Sequence, residues 1–192
     1  GFVRRADTNE VGVLLAHPRG PVDPTASVKR GVFAPADTWV STEYLFRRDE
    51  DGDYWLVDNR GSVIHTARGP VYASTVDHAV GDLGAVDMAV TYGVEAGGHQ
   101  LAITALALRP GGTIPSADLS EALADLPVGN PADIVHVVPE MALSASYRPL
   151  ISPLRAAGIP KPSRNAWYLD PDTNRYKRLT VAVRTEIAGA QQ

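Results

Sequence analysis

Three acidic residues, Asp49, Asp51 and Asp53, have the alternate spacing of a calcium-binding loop. Such a loop has glycine at its sixth position and glutamate at its twelfth. Here those positions hold Tyr54 and Arg60. Because the acidic residues also enclose a glycine, the composition is typical of a tight turn. We therefore predict a solvated hairpin turn and not a metal site.

The five histidines are scattered along the chain, and no two have the four-residue spacing that brings two imidazoles onto one metal: His17, His65, His78, His99 and His136. His136 lies in an apolar run, where a packed core or edge position is expected. The sequence has neither a G-x-x-x-x-G-K phosphate loop nor a G-x-S-x-G nucleophile motif. The absence of cysteine excludes disulfides, thiolate nucleophiles and cysteine metal sites. No metal ligand is assigned.

The composition indicates an ordinary globular protein of one domain or two small ones, with 192 residues and a net charge of −4. This charge gives no electrostatic case for binding nucleic acid. The longest apolar run, 101–108, is far too short to cross a bilayer. The first residues include no apolar signal segment and no initiator methionine. We expect an intracellular fragment of a longer chain, with a processed natural amino-terminus as the alternative.

The elements that must position any site differ between the two parts of the chain. Residues 1–60 are predicted to be rich in β-strands, at 11–16, 38–47 and 53–58. After residue 60 the periodicity predicts helices at 71–83, 118–126, 150–157 and 180–188, with Ser74 and Asp77 capping the first. Strands are predicted at 85–96, 100–109, 133–138 and 167–169, the first two forming a hairpin through Gly97-Gly98.

This order of elements predicts an α+β protein, in which a small sheet flanked by helices follows a β-rich segment. The boundary is expected between Asn59 and Ser62, which divides the chain into 1–60 and 61–192. The residues alone indicate no function.

Two stretches resemble a known family. Residues 31–58 read GVFAPADTWVSTEYLFRRDEDGDYWLVD, which resembles V-F-x-P-G-D-x-W-F-x-T-G-D-L-x-R-R-D in the fatty-acid-transport-protein and very-long-chain acyl-CoA synthetase branch of the adenylate-forming superfamily. Residues 143–148 (LSASYR) and 165–176 (NAWYLDPDTNRY) are similar to that family's T-G-T-F-K and Y-x-L-D motifs. The order and spacing agree over most of the chain.

The resemblance implies that residues 1–60 are the β-rich tail of a large amino-terminal adenylation domain and that 61–192 form a mobile lid domain. It implies an ATP-dependent ligase that uses Mg²⁺ to adenylate a fatty acid and then forms a thioester with CoA. The expected location is the cytoplasm, and peripheral association with the inner face of a membrane is the alternative within it. The fragment alone is expected to be inactive and to have no cofactor bound.

The resemblance assigns nucleotide contacts to Thr42, Glu43, Tyr44, Asn59 and Arg60. Glu43 and Tyr44 stand where the family has the Gly and Asp of T-G-D, the carboxylate of which contacts the ribose. Glu43 would replace this carboxylate only if the strand register slipped by one residue. Asn59 stands for an arginine, for which the neighbouring Arg60 is the alternative.

The remaining assignments concern the lid. Ser62 replaces the hinge aspartate. Arg68 falls where the family's F-R-W-K-G-E-N-V has the glycine of the CoA channel, unless a one-residue shift allows Gly69 to serve. An arginine there would narrow the channel or attract CoA phosphates. Arg148 replaces the lid lysine that stabilises charge on the α-phosphate.

Taken one at a time, these residues are equally compatible with ordinary structural roles, as packed strand-edge, turn or surface residues. Together they leave three interpretations: a ligase with altered motifs, a degenerate homologue that binds acyl chains or CoA as a scaffold, and an unrelated α+β module.

Overall fold

The computed structural model describes residues 3–189, which form two compact units divided after Ser62. The assignment of the first unit to a large domain and of the second to a lid remains a prediction. The two units are described separately below.

The first unit is a four-stranded antiparallel sheet built around one long strand. Its strands are β1 (Val11–Ala16), β2 (Val28–Arg30), β3 (Thr38–Arg48) and β4 (Tyr54–Asn59). β1 pairs along one side of β3, while β2 and β4 pair with successive parts of the other side. The sequence did not predict β2, because it has only three residues, two of them charged.

The second unit contains a hairpin and a five-stranded sheet. The hairpin consists of β5 (Val63–Thr66) and β6 (Gly69–Tyr72). The sheet has the order β11-β10-β9-β8-β7, and all its pairs are antiparallel except β8 with β9. Its strands are β7 (Val86–Ala96), β8 (His99–Leu108), β9 (Ile134–Val137), β10 (Ala166–Asp170) and β11 (Arg175–Arg178).

Four helices cover both faces of this sheet: α1 (Ala73–Gly81), α2 (Ser116–Ala122), α3 (Ile151–Ala157) and α4 (Val181–Gly189). Alternate residues of β8 enter two separate cores, because successive side chains of a strand point to opposite faces. Ala102 and Leu106 pack with α1 and α2, whereas Leu101, Ile103 and Ala105 pack with α3 and α4. The predicted α+β class is confirmed.

Several local predictions were wrong. The helix predicted over 71–83 begins only at Ala73, because the preceding residues belong to β6. The predicted cap pair is also wrong: the residue before the helix is Tyr72, with no side-chain capping bond. Asp77 instead accepts a hydrogen bond of 2.6 Å from Thr91 Oγ1, on the neighbouring strand.

Within residues 3–189, no helix is long and apolar enough to cross a membrane.

Candidate functional site

The centre of β3 carries an irregularity at three of the predicted nucleotide-binding residues. Thr42 Oγ1 donates a hydrogen bond of 2.9 Å to the carbonyl oxygen of Leu14. Glu43 has φ +59°, in the left-handed region, and the register with β1 shifts at this point. Tyr44, which follows, has 49% of its surface exposed. The bulge therefore turns Glu43 and Tyr44 out of the regular alternation.

The end of β4 brings the other two predicted nucleotide-binding residues to the same place. Asn59 is the cross-strand partner of Tyr44, and its Oδ1 accepts a hydrogen bond of 2.9 Å from the Gly61 amide. This contact begins a 3₁₀ turn, Arg60–Ser62. Arg60 Nη1 lies 3.8 Å from Glu43 Oε2. The structure thus brings all five predicted nucleotide-binding residues together, and exposed Ser62 ends the turn.

Left-handed backbone occurs at two positions where the motif quoted above has glycine. Ala36 has φ +69° at the glycine of P-G-D, and Glu43 has φ +59° at the glycine of T-G-D. A residue with a side chain pays about 1–2 kcal/mol for this conformation, which glycine adopts freely. The backbone shape that favours glycine is therefore present although the glycines are not.

Asp37, also in the motif, holds the loop before β3 together. Its carboxylate accepts hydrogen bonds from the Val32, Phe33 and Ala34 amides at 2.7–2.9 Å and from Trp39 Nε1 at 2.8 Å. Partial desolvation opposes ionisation of Asp37, but these four donors outweigh it and lower its pKa to about 2. No role for Asp37 was predicted from the sequence, but the structure shows that its carboxylate organises the loop.

Arg68 is fixed within the second unit by a carboxylate and a carbonyl group. Its Nη2 lies 2.8 Å from Asp133 Oδ1 and donates to the Pro131 carbonyl oxygen at 2.9 Å. Asp133 Oδ2 in turn accepts from the Ala102 amide at 2.8 Å. Arg68 therefore ties the β5–β6 hairpin to the start of β9. In the sequence, the only sign of Asp133 is a single acidic residue directly before an apolar strand. No role was predicted for it.

Gly69 is the residue of this hairpin at which a side chain would be strained. Its φ is +114°, and a Cβ there would approach Asn130 Nδ2 to 3.0 Å. Both φ and the close neighbour require glycine. The Arg68 side chain is thus held by hydrogen bonds, whereas the adjacent Gly69 has no side chain to cover the backbone.

Arg148 lies in a different loop, between β9 and α3. The loop is closed by hydrogen bonds from the Ser144 amide to the Arg148 carbonyl oxygen (2.8 Å) and from the Arg148 amide to Ser144 Oγ (3.1 Å). Tyr147 has φ +58° and is 82% exposed. Arg148 is also exposed, and no carboxylate of the described residues lies within 4.0 Å of its guanidinium group.

His136 and Tyr92 form a titratable pair in the second unit. Tyr92 Oη lies 3.3 Å from His136 Nε2. Burial lowers the pKa of His136 to about 4 and raises the pKa of Tyr92 to about 12. Both groups are therefore neutral near pH 7. Over residues 3–189, no three His, Asp or Glu side chains are grouped so that they could hold a metal ion.

No protein-family model matches the chain, and neither does any curated protein. Solved structures, in contrast, do match the chain. Over 83% of its length the chain matches 32% of o-succinylbenzoate CoA synthetase (MenE) from Bacillus subtilis, solved with the acyl-adenylate intermediate OSB-AMP, at 18% identity and a TM-score of 0.57. Over 62% it matches 24% of apo MatB from Rhodopseudomonas palustris, at 18% identity and a TM-score of 0.52. The chain thus spans about a third or less of these proteins, and it shares the α+β fold of the part of each that it matches.

Proposed function

We propose that this chain is the carboxy-terminal part of a long-chain or very-long-chain fatty acid–CoA ligase of the adenylate-forming superfamily. In the intact protein the fatty acid carboxylate would attack the α-phosphate of ATP and release pyrophosphate. The CoA thiol would then displace AMP and give the thioester. Residues 1–60 would end the large adenylation domain, and residues 61–192 would form the lid.

The observation that carries this proposal is the backbone at Ala36 and Glu43. A chance likeness to the motif would not require left-handed φ at the two residues that stand for its glycines. The fold that the chain shares with o-succinylbenzoate CoA synthetase over 83% of its length also supports the proposal.

The cluster around Glu43 and Tyr44 is the proposed contact with the nucleotide ribose. The Tyr44 phenol replaces a carboxylate and can accept one hydrogen bond there. Glu43 supplies a carboxylate one residue earlier, and its exposed ion pair with Arg60 is of the kind worth about 0–1 kcal/mol. A ribose hydroxyl could displace that contact at little cost. The described residues offer no metal-binding cluster of their own, so Mg²⁺ would be held by ATP and by the rest of the intact protein.

Arg148 is the proposed cation for the α-phosphate. Its guanidinium group is exposed and has no carboxylate within reach among the described residues, so an incoming phosphate meets no competitor. A fixed positive charge stabilises the extra negative charge of the adenylation transition state.

The second candidate function, a degenerate homologue that binds acyl chains or CoA without turnover, is favoured by Arg68. Its guanidinium group is bonded to Asp133 and Pro131 where the resemblance expects the glycine of the CoA channel. Gly69 would have to line that channel instead, and its position leaves no room for a side chain.

The test is ATP–pyrophosphate exchange and thioester formation by the full-length protein that contains this chain, over fatty acids of increasing length. Arg148→Ala should reduce exchange by about 10²-fold or more, and Arg148→Lys should retain most of it. The matched control is Arg155→Ala, an exposed arginine of nearby α3. Full activity in Arg148→Ala would reject the assigned role. Binding of CoA or fatty acid without any exchange would favour the degenerate homologue.

We also propose that the 192-residue chain alone has no ligase activity, because most of the acid and ATP pocket would lie outside it. Thioester formation by this chain would contradict the proposal that most of the acid and ATP pocket lies outside it. A cytoplasmic location, with peripheral binding to a membrane, is part of the same proposal and can be tested by fractionation of cells expressing the full-length protein.

A further inference from the structure

A cleft of about 450 Å³ lies at the end of the five-stranded sheet where β8 and β9 finish and β10 begins. It is lined by the loop that follows Leu108, by Arg164 and Trp167 on one flank, and by Arg178 on β11. None of the residues assigned above to nucleotide, CoA or catalysis lines it. Its volume is within the range of about 300–1,000 Å³ that small-molecule sites occupy.

The ionisable side chains that line this cleft are two arginines and no acid. Neither Arg164 nor Arg178 has a carboxylate within 4.0 Å in the described part of the chain. The preceding residue on β11 behaves differently: Lys177 Nζ is 2.6 Å from Asp170 Oδ2. The fold thus neutralises one cation of this strand and leaves the next one unpaired on the cleft.

The two segments that form the cleft differ in charge. Residues 141–192 carry eight Lys or Arg and three Asp or Glu, whereas residues 63–140 carry two and nine. The segment that contributes both arginines thus has a net charge of +5, whereas the segment that contributes residues 108, 112–116 and 137 of the lining has a net charge of −7.

The remaining lining is partly apolar. Leu108, Ile114 and Trp167 contribute to it, and Trp167 is the direct cross-strand partner of Arg178. Cross-strand partners project from the same face of a sheet. Only 4% of Trp167 and 8% of Ile114 is exposed, so the apolar surface beside the arginines is small.

We propose that this cleft binds a small organic phosphate, with its phosphate group held by Arg164 and Arg178 and its apolar part against Trp167. Guanidinium groups are permanently charged and match the geometry of phosphate oxygens, so two of them favour a phosphate dianion over a single carboxylate. The site is independent of the proposed ligase function, since the two share no residue.

The experiment is an NMR titration of the isotope-labelled 192-residue chain with phenyl phosphate, which carries both required features. The amide signals of the cleft should shift saturably, with a Kd below about 1 mM. Arg164→Gln and Arg178→Gln should each weaken binding by about tenfold, the value of one charge-assisted hydrogen bond. Arg175→Gln is the matched control, because it removes an exposed arginine of β11 that does not line the cleft.

Four outcomes would overturn the proposal. The cleft signals could fail to saturate by about 10 mM phenyl phosphate. Arg175→Gln could weaken binding as much as the cleft variants, which would indicate a diffuse basic surface. Inorganic phosphate could bind as tightly as phenyl phosphate, which would show that the apolar lining plays no part. A final arm uses vesicles containing phosphatidic acid: binding to these alone, without binding of phenyl phosphate, would assign the arginines to a membrane surface and reject the small-molecule site.

Discussion

Acidification should destabilise the second unit through one side chain, His136. Its pKa is about 4 in the folded chain, because of burial, against about 6.5 in an unfolded chain. The unfolded state therefore takes up the proton first. The contribution of neutral His136 is fully present above about pH 6.5 and is lost as the pH falls towards 4.

The size of the effect follows from the difference of about 2.5 pKa units. At about 1.36 kcal/mol per unit, the free energy of unfolding should fall by about 2 kcal/mol between pH 7.5 and 5 and by about 3 kcal/mol by pH 4. Asp37 and Asp170 both have lowered pKa values. They lose their contributions only below the unfolded carboxyl pKa of about 3.9, so they affect a more acidic window.

The assay is urea unfolding followed by NMR amide signals of β8 and β9, which report on the second unit alone. The pH dependence should disappear when His136→Phe is combined with Tyr92→Phe, a pair that leaves no phenol without its partner. The control His78→Phe, on the exposed side of α1, should keep it. The reasoning fails if the His136 variant loses as much stability on acidification as the parent, or if the imidazole signals of His136 titrate near pH 6.5.

Three further predictions concern the backbone and the hairpin. In thermal melts, Gly69→Ala should cost about 2 kcal/mol of stability, because φ +114° and Asn130 both oppose a Cβ. The control Gly98→Ala should cost less, because Gly98 has a positive φ but no atom near the added Cβ. Glu43→Gly should stabilise the first unit by about 0.5 kcal/mol, since relief of the left-handed strain exceeds the extra entropy of an unfolded glycine. Hydrogen exchange is the measurement, and a lower stability of the first unit in the variant would contradict this. Arg68→Met should cost about 1–2 kcal/mol by leaving a half-buried carboxylate without its partner, and faster amide exchange in the β5–β6 hairpin should accompany the loss.

The sequence predicted the parts of the fold that are long and locally determined. The β7–β8 hairpin was found because two extended apolar runs flank Gly97-Gly98, a strong turn signal. The hairpin of β5 and β6 was missed because each strand has only four residues, and the helical spacing of 76–83 was extended back over the second. β11 was missed because three of its four residues are basic, and only Tyr176 is buried.

The candidate site was predictable only where the motif carried information. Thr42, Glu43, Tyr44 and Asn59 meet because β3 and β4 form a hairpin, which the sequence indicates. The partner of Arg68, in contrast, lies 65 residues away in sequence, and no local pattern links the two. Glutamate itself gives no signal for the left-handed backbone at Glu43; only the glycine at this position of the quoted motif points to it.

The position of β11 at the edge of the five-stranded sheet affects how this chain behaves at high concentration. An exposed edge invites another chain to extend the sheet, and proteins block this with charged side chains or a covering element. β11 does both: its basic residues repel a second copy, and the Tyr176 amide donates to Ser120 Oγ of α2 at 2.9 Å. The basic side chains and the covering helix α2 therefore protect this edge of the sheet against edge-to-edge aggregation.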